Sequence, residues 1–400
     1  MKRNLILTSS LLAASLSFAA LAADLPFGAW TRASNEPILS PQGATWESAG
    51  TFNPAVTFAF GKFVMLYRAQ DASGTSRLGY AESADGIHFT RRPQPVLSPE
   101  TDYEKDGGVE DPRLQKFGDT WYLTYTGYNK KDAQLCLATS RDLIHWERKG
   151  VILPAYEGNW NVGWTKSGAI VPEKIDGKYW MYWLGTAADK TDQMGLSYSS
   201  DLLHWTEATQ TPVLPRRPGK FDSRVVEPGP PPILTPRGIV LVYNGADDQL
   251  VYRTGVAVFD RRDPRKLLSR SDAPIFFPQK QWEKVGQVPN VVFVEGMVLI
   301  PSPEAPAKTV IPSAARSLRS GRFHGARNLS SDPPANPVIL RCSSGLLGLR
   351  NLSSVLSGTR HSPLVYPDPV GATRHFFFYY GAADKYVGVA EAPATAVIPM

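Results

Sequence analysis

The chain has 400 residues with 42% hydrophobic and 20% charged residues, enough to bury a large core, and a formal net charge of +6. That positive balance is local: Lys2 and Arg3 open the chain, and residues 301–374 carry nine basic against three acidic side chains, so the remainder is slightly acidic. Composition therefore excludes a nucleic-acid-binding surface as the explanation of the basic pI.

The chain opens Met1-Lys2-Arg3, runs apolar from Leu5 to Ala19 and reaches Ala20-Leu21-Ala22-Ala23. A charged start, a short apolar stretch and a small-residue cleavage site predict a secretory signal peptide over 1–23 and a periplasmic or secreted mature protein. No later stretch is long and apolar enough for a membrane-spanning helix. Cys136 lies in a strand-like run, and nothing pairs it with Cys342.

From there the chain repeats itself. A short apolar run closed by proline recurs at Pro41, Pro99, Pro154, Pro215 and Pro278, spaced by 58, 55, 61 and 63 residues. A strand follows each, then a turn and an aromatic strand (Phe63-Val64-Met65-Leu66-Tyr67, Trp121-Tyr122-Leu123-Thr124-Tyr125, Tyr179-Trp180-Met181-Tyr182-Trp183). A third strand comes next, then an Asp turn and outer strands at Phe89, Trp146 and Trp205. Four short strands per unit without helical periodicity predict an all-β five-bladed β-propeller over 24–400. The last unit lacks its outer strand, and Gly28-Ala29-Trp30-Thr31-Arg32 near the N-terminus matches the missing piece. The mature N-terminus is expected to complete the last blade and leave no open edge. A linear β-solenoid is the alternative.

Between Val291–Ile300 and His375–Tyr380 lies a segment of different composition, about 301–374, rich in Ser, Arg and Pro. It is expected to be a disordered insertion at a hairpin tip, where a long loop is tolerated. The sequons at Asn328 and Asn351 fall within it.

Inner strands of a propeller converge, so the starts of those strands face one pocket. These positions hold Asn53, Glu110 and Asp111, Lys166, Glu227 and Asn290, with Glu295 further along the fifth inner strand. The stretch Gly107-Gly108-Val109-Glu110-Asp111-Pro112-Arg113 is the focus, a tight turn carrying two carboxylates into a strand. Phe52, Tyr125, Tyr128, Trp160 and Trp164 are nearby candidates for stacking on sugar. Carboxylates, amides and aromatics together fit an oligosaccharide substrate, whose bonds yield to paired carboxyl groups. No cofactor motif occurs. His88, His145 and His204 are read onto outer strands without metal-ligand spacing, so no metal is expected. Oligomeric state is left open.

Glu110-Asp111-Pro112-Arg113, Lys166-Ser167-Gly168-Ala169, Pro228-Gly229-Pro230-Pro231-Pro232-Ile233, Val288-Pro289-Asn290-Val291 and Tyr380-Gly381-Ala382-Ala383-Asp384 resemble glycoside hydrolase family 130. That resemblance covers about 27–300 and 375–392. It implies a five-bladed propeller acting on β-mannosides, with Asp111 as general acid, its proton relayed through a substrate hydroxyl. It also implies that Asn53, Arg68, Arg113 and Asp384 contact the mannosyl unit. Phosphorylase members carry a histidine where this chain has Asn244, and a small residue where it has Glu227. A lost cation and an added carboxylate repel phosphate, so the expected reaction is inverting hydrolysis, with Glu227 and Glu295 holding water. Lys166 keeps phosphorolysis as the alternative, and a non-catalytic sugar-binding propeller is the second.

Overall fold

The computed structural model describes residues 25–301 and 374–396. The leader at 1–23, the sequons, Cys342 and nearly all of the expected insertion lie outside the described residues. Those described are all-β, with one short helix, α1 (Gln281–Lys284). No helix among them is long and apolar enough to cross a membrane.

After β1 (Thr31–Arg32), the strands fall into successive antiparallel units. The first holds β2 (Gly50–Ala59), β3 (Lys62–Gln70), β4 (Ser76–Ser83) and β5 (Thr90–Arg91). The second holds β6 (Gly108–Phe117), β7 (Thr120–Tyr128), β8 (Ala133–Ser140) and β9 (Glu147–Leu153). In the third are β10 (Thr165–Ile170), β11 (Tyr179–Thr186), β12 (Asp192–Ser199) and β13 (Thr206–Glu207). The fourth contains β14 (Val225–Pro228), β15 (Ile233–Thr235), β16 (Gly238–Ala246), β17 (Tyr252–Phe259) and β18 (Leu267–Arg270). The last has β19 (Val292–Pro301), β20 (Arg374–Ala382) and β21 (Tyr386–Pro393). Its fourth strand is β1, with Thr31 opposite Glu391 and Arg32 opposite Ala390.

Middle strands such as β3 and β16 are apolar on both faces because both faces are covered. Separate apolar clusters join consecutive units. Leu66 and Leu123 belong to one, Leu137 and Met181 to another, and Tyr182 and Leu241 to a third. Val242 and Phe378 share a fourth; Met65 and Tyr379 share a fifth, which joins the last unit to the first.

A polar clamp ties the outer strand of most units to the strand two places inward. Tyr67 and Arg91 both donate to Glu47; Tyr125 and Arg148 do so to Glu104. Tyr243 and Arg270 close on Asp222, and Tyr380 and Arg32 on Glu283. Each acid is buried and each is matched by a cation and a hydroxyl, which is how a buried carboxylate is tolerated. In the third unit Trp183 stands at the tyrosine position and stacks on Trp160 at 5.4 Å.

His88, His145 and His204 are placed in the turns before the outer strands rather than on them. Each ring Nδ1 lies 2.7, 2.7 and 2.8 Å from Asp85, Asp142 and Asp201 of its own turn. The same aspartates accept backbone N–H groups there, as Asx turns do.

Candidate active site

The inner strands β2, β6, β10 and β19 each carry an irregularity in register, at Phe52/Pro54, Glu110/Arg113, Lys166/Ala169 and Val294/Gly296. A β-bulge re-aims a side chain that regular pleating would bury in the sheet. The displaced residues are Asn53, Asp111, Ser167 and Glu295, and the first three have left-handed φ values of 48°, 50° and 59°. Asn and Asp tolerate that region better than other non-glycine residues; Ser167 has less excuse. Four inner strands thus deliver one polar side chain each to the same level.

These side chains meet. Asn53 Nδ2 donates to Asp111 Oδ1 at 2.7 Å and lies 3.4 Å from Glu295 Oε1. Arg68 sends Nη1 to Asp111 Oδ1 at 3.1 Å and Nη2 to Glu110 Oε1 at 2.6 Å, while its Nε donates to Ser76 Oγ at 3.0 Å. Lys166 Nζ stands 3.3 Å from Asp111 Oδ2. Ser167 donates to Glu227 Oε1. Burial pushes the Asp111 carboxyl up, but Lys166, Arg68 and Arg113 outweigh it and hold it below the usual carboxylate range. Glu110, Glu227 and Glu295 go the other way, raised by burial against the opposing pull of Arg68, Lys166 and Arg113 respectively. Asp384 follows the raised group, pushed up by burial to about 6 although Arg68 opposes it. Lys166 is held charged: burial lowers it, and Asp111 and Glu227 more than reverse that.

Arg113 is 1% exposed and reaches across units. Its Nε donates to Gly229 O at 3.2 Å and Nη2 to Pro228 O at 2.8 Å. Nη1 donates to Asp111 O at 3.0 Å and pairs with Glu295 at 2.9 Å. With these donors engaged by the second, fourth and fifth units, Arg113 braces the floor beneath Asp111. Asn290, in contrast, sits ahead of β19 with its carbonyl accepting from the Tyr252 N–H at 3.0 Å, and no hydrogen bond described joins it to the cluster. The bulge at Glu295 brings that residue level with Asn53 and Asp111. Asn244 is fully buried, its amide exchanging two hydrogen bonds with the backbone of Val294 at 3.0 and 2.9 Å.

Ser167, Ser76 and Tyr252 were not legible as site residues. Tyr252 packs its ring 5.9 Å from that of Phe293, and burial and then Glu227 raise its hydroxyl's pKa. The left-handed φ of Ser167 that marks the bulge is a property of the folded chain, so no sequence signal pointed to it. Of the aromatic candidates, Phe52 is buried under the Arg68 guanidinium at 4.7 Å, Tyr125 is locked in the clamp of the second unit, and Trp160 is stacked on Trp183.

The arrangement offers a carboxylate held below its ordinary range, Asp111, ringed by cations. Buried carboxyls with raised pKa values flank it, beside a lysine open enough to meet a solute, its side chain 23% exposed. Paired carboxyls of unequal proton affinity are what acid-assisted cleavage of a glycosidic bond requires.

Comparison with known proteins agrees. The family model described as beta-1,4-mannooligosaccharide phosphorylase matches residues 29–301. A 1,2-beta-oligomannan phosphorylase of Thermoanaerobacter sp. (strain X514) is 41% identical over 273 residues, covering 66% of this chain and 87% of its own. A beta-1,2-mannobiose phosphorylase of the same organism is 36% identical over 285 residues, covering 67% of this chain and 89% of its own. A solved structure described by the statement that the GH130 family of mannoside phosphorylases contains glycoside hydrolases that target beta-1,2 mannosidic linkages in Candida mannan is 32% identical. It superposes with a TM-score of 0.68 over 94% of this chain and 98% of that one. With the family model spanning most of the chain and its motifs gathered around Asp111, this protein belongs to glycoside hydrolase family 130.

Proposed function

We propose that the chain cleaves β-mannosidic bonds, β-1,2-linked oligomannosides foremost, by phosphorolysis, with Asp111 as the acid. The observation that carries this is the Lys166 ammonium 3.3 Å from Asp111. An acid held ionised by an adjacent cation cannot donate a proton until that cation is engaged elsewhere. A phosphate dianion drawing on Lys166 removes that cation's hold and lets Asp111 carry a proton, so arrival of the nucleophile arms the acid. The C1–O bond then breaks as a phosphate oxygen bonds to C1, Asp111 protonates the leaving oxygen, and the proton of hydrogen phosphate restores Asp111. The products are mannose 1-phosphate and a shortened mannoside.

The residues alone favour water over phosphate, and three further points shift that preference. Relatives at 41% and 36% identity carry phosphorylase names. Asn244 faces the Val294 backbone, so its neutral amide says little about what the pocket holds. Glu227, raised by burial, holds its proton to higher pH than an ordinary carboxyl, which weakens its repulsion of an anion. Hydrolysis is the second reading. It is favoured by that same Glu227, fixed by Ser167 near Lys166 where a base for water would stand, and by the hydrolase structure among the relatives.

The reading extends to architecture and address. The units are taken as five blades of a propeller, supported by the β1–β21 pairing of the two chain ends and by the apolar cluster joining last unit to first. Export is taken from the leader-like residues 1–23.

The test is a product assay on β-1,2-mannobiose with and without phosphate. Mannose 1-phosphate formed only with phosphate is the expected result. Mannose released at a rate indifferent to phosphate overturns phosphorolysis and leaves hydrolysis through Glu227.

A further inference from the structure

Exposed apolar surface on the approach to Lys166 takes no part in the proton transfers at Asp111. Trp164 is 36% exposed, Val162 54% and Tyr156 55%, all on the loop that leads into β10. Apolar side chains gathered at the rim of a polar pocket mark a contact surface. The loop is held from behind: Asn161, 1% exposed, receives the Thr186 N–H at 2.6 Å and donates to Gly163 O at 3.1 Å. The Val162 N–H donates to Thr186 O at 2.9 Å, and a Cβ on Gly163 would meet Thr186 at 2.7 Å. Tyr156 is pinned in turn, its hydroxyl donating to Asp132 at 2.8 Å and its N–H to Gly163 O at 2.7 Å. The aromatic surface is therefore presented by a braced backbone.

Its position follows from register. Trp164 is two residues before Lys166, hence roughly 6–7 Å outward along an extended chain. In the second unit Tyr128 pairs with Gly108, two positions outward from the Thr126–Glu110 pair. Trp164 and Tyr128 face each other with ring centroids 5.7 Å apart and planes inclined at 59°. Both stand one step above the residues that flank Asp111, and Arg113 with Glu295 closes the floor below. A mannosyl unit seated against Asp111 and extended outward along β10 passes over this rim.

We infer that Trp164, with Tyr128, is the platform on which the leaving-group sugar stacks, so that these residues set the preference for oligosaccharides over single sugars. The inference rests on the β-mannoside reading. An apolar ring face of a pyranose suits an exposed indole, and the tilted pair offers one face to the sugar while the other is held by its neighbour.

The experiment uses the inactive Asp111→Asn chain, titrated with mannose and with β-1,2-mannotriose by calorimetry. Adding Trp164→Ala is expected to weaken mannotriose about three- to tenfold more than mannose, the range of one lost aromatic contact. Trp164→Phe should restore most of that difference, and unchanged melting temperatures establish that both variants fold. Equal weakening of both sugars, or of neither, overturns the platform. Failure of the Asp111→Asn chain to bind either sugar with Trp164 intact overturns the mannoside reading and the platform with it.

Discussion

Arg113 Nη1 lies 2.9 Å from Glu295 Oε1, and the two residues come from different units 182 positions apart in the chain. Both are almost fully buried, and the pair sits directly below Asp111. Removing one partner leaves the other charge unmatched in a low-dielectric setting. Arg113→Met should therefore cost roughly 3–5 kcal/mol of stability, with Pro228 O and Gly229 O also losing their donors. Urea denaturation of the variant checks this; an unchanged midpoint would show that the brace is dispensable.

Asp111→Asn should lower turnover by about 10²–10⁴ while leaving mannoside binding intact, because the amide fills the same volume without a proton to give. Turnover and calorimetric binding on the same preparation separate the two effects.

Lys166→Met should move the pH profile. Asp111 is held below its ordinary range chiefly by Lys166 against the effect of burial. Without that cation the carboxyl keeps its proton to higher pH, so the limb on which the acid ionises shifts upward. Saturation by phosphate should weaken at the same time. A kcat/KM profile taken at several phosphate concentrations reads both; a profile that does not move removes Lys166 from the control of Asp111.

Asp384 titrates at about 6 in the folded chain because burial raises it. A raised carboxyl favours the fold while protonated, so its contribution is full below the unfolded value near 4 and is lost as pH rises through 6. Asp384→Asn should therefore raise the melting temperature at pH 8 and change it little at pH 4. A gain that is larger at pH 4 would contradict the assignment.

Deleting residues 24–40 removes β1, leaves β21 with an open edge, and strips Glu283 of Arg32 while Tyr380 remains. The truncated chain is expected to melt several degrees lower and to aggregate, as unpaired edges do. Light scattering during a thermal ramp measures both; a truncation that stays monomeric with unchanged melting would deny β1 its closing role.

Much of this was written locally. Alternating and aromatic strands, proline-closed apolar runs and Asp turns repeat at short range, so the all-β class and the order of units follow from periodicity alone. The acidic stretch at Glu110-Asp111 was legible because glycines, carboxylates and proline stand adjacent. The N-terminal strand could be assigned to the last unit because the same residue pattern recurs where a partner was missing. Tertiary structure decided what depends on bulges and on contacts between distant residues. Asn53 meets Asp111 across 58 positions and Glu295 across 242, and no local period encodes such a meeting. A single bulged residue shifts which side chain reaches the pocket, because strand faces alternate with every residue. That shift brings Ser167 and Glu295 level with Asp111. The roles of Arg113 as a brace, of Asn244 as a backbone partner, and of the acid–tyrosine–arginine clamps likewise exist only once the units are packed, since each is a pairing of buried polar groups that must find its match across the chain.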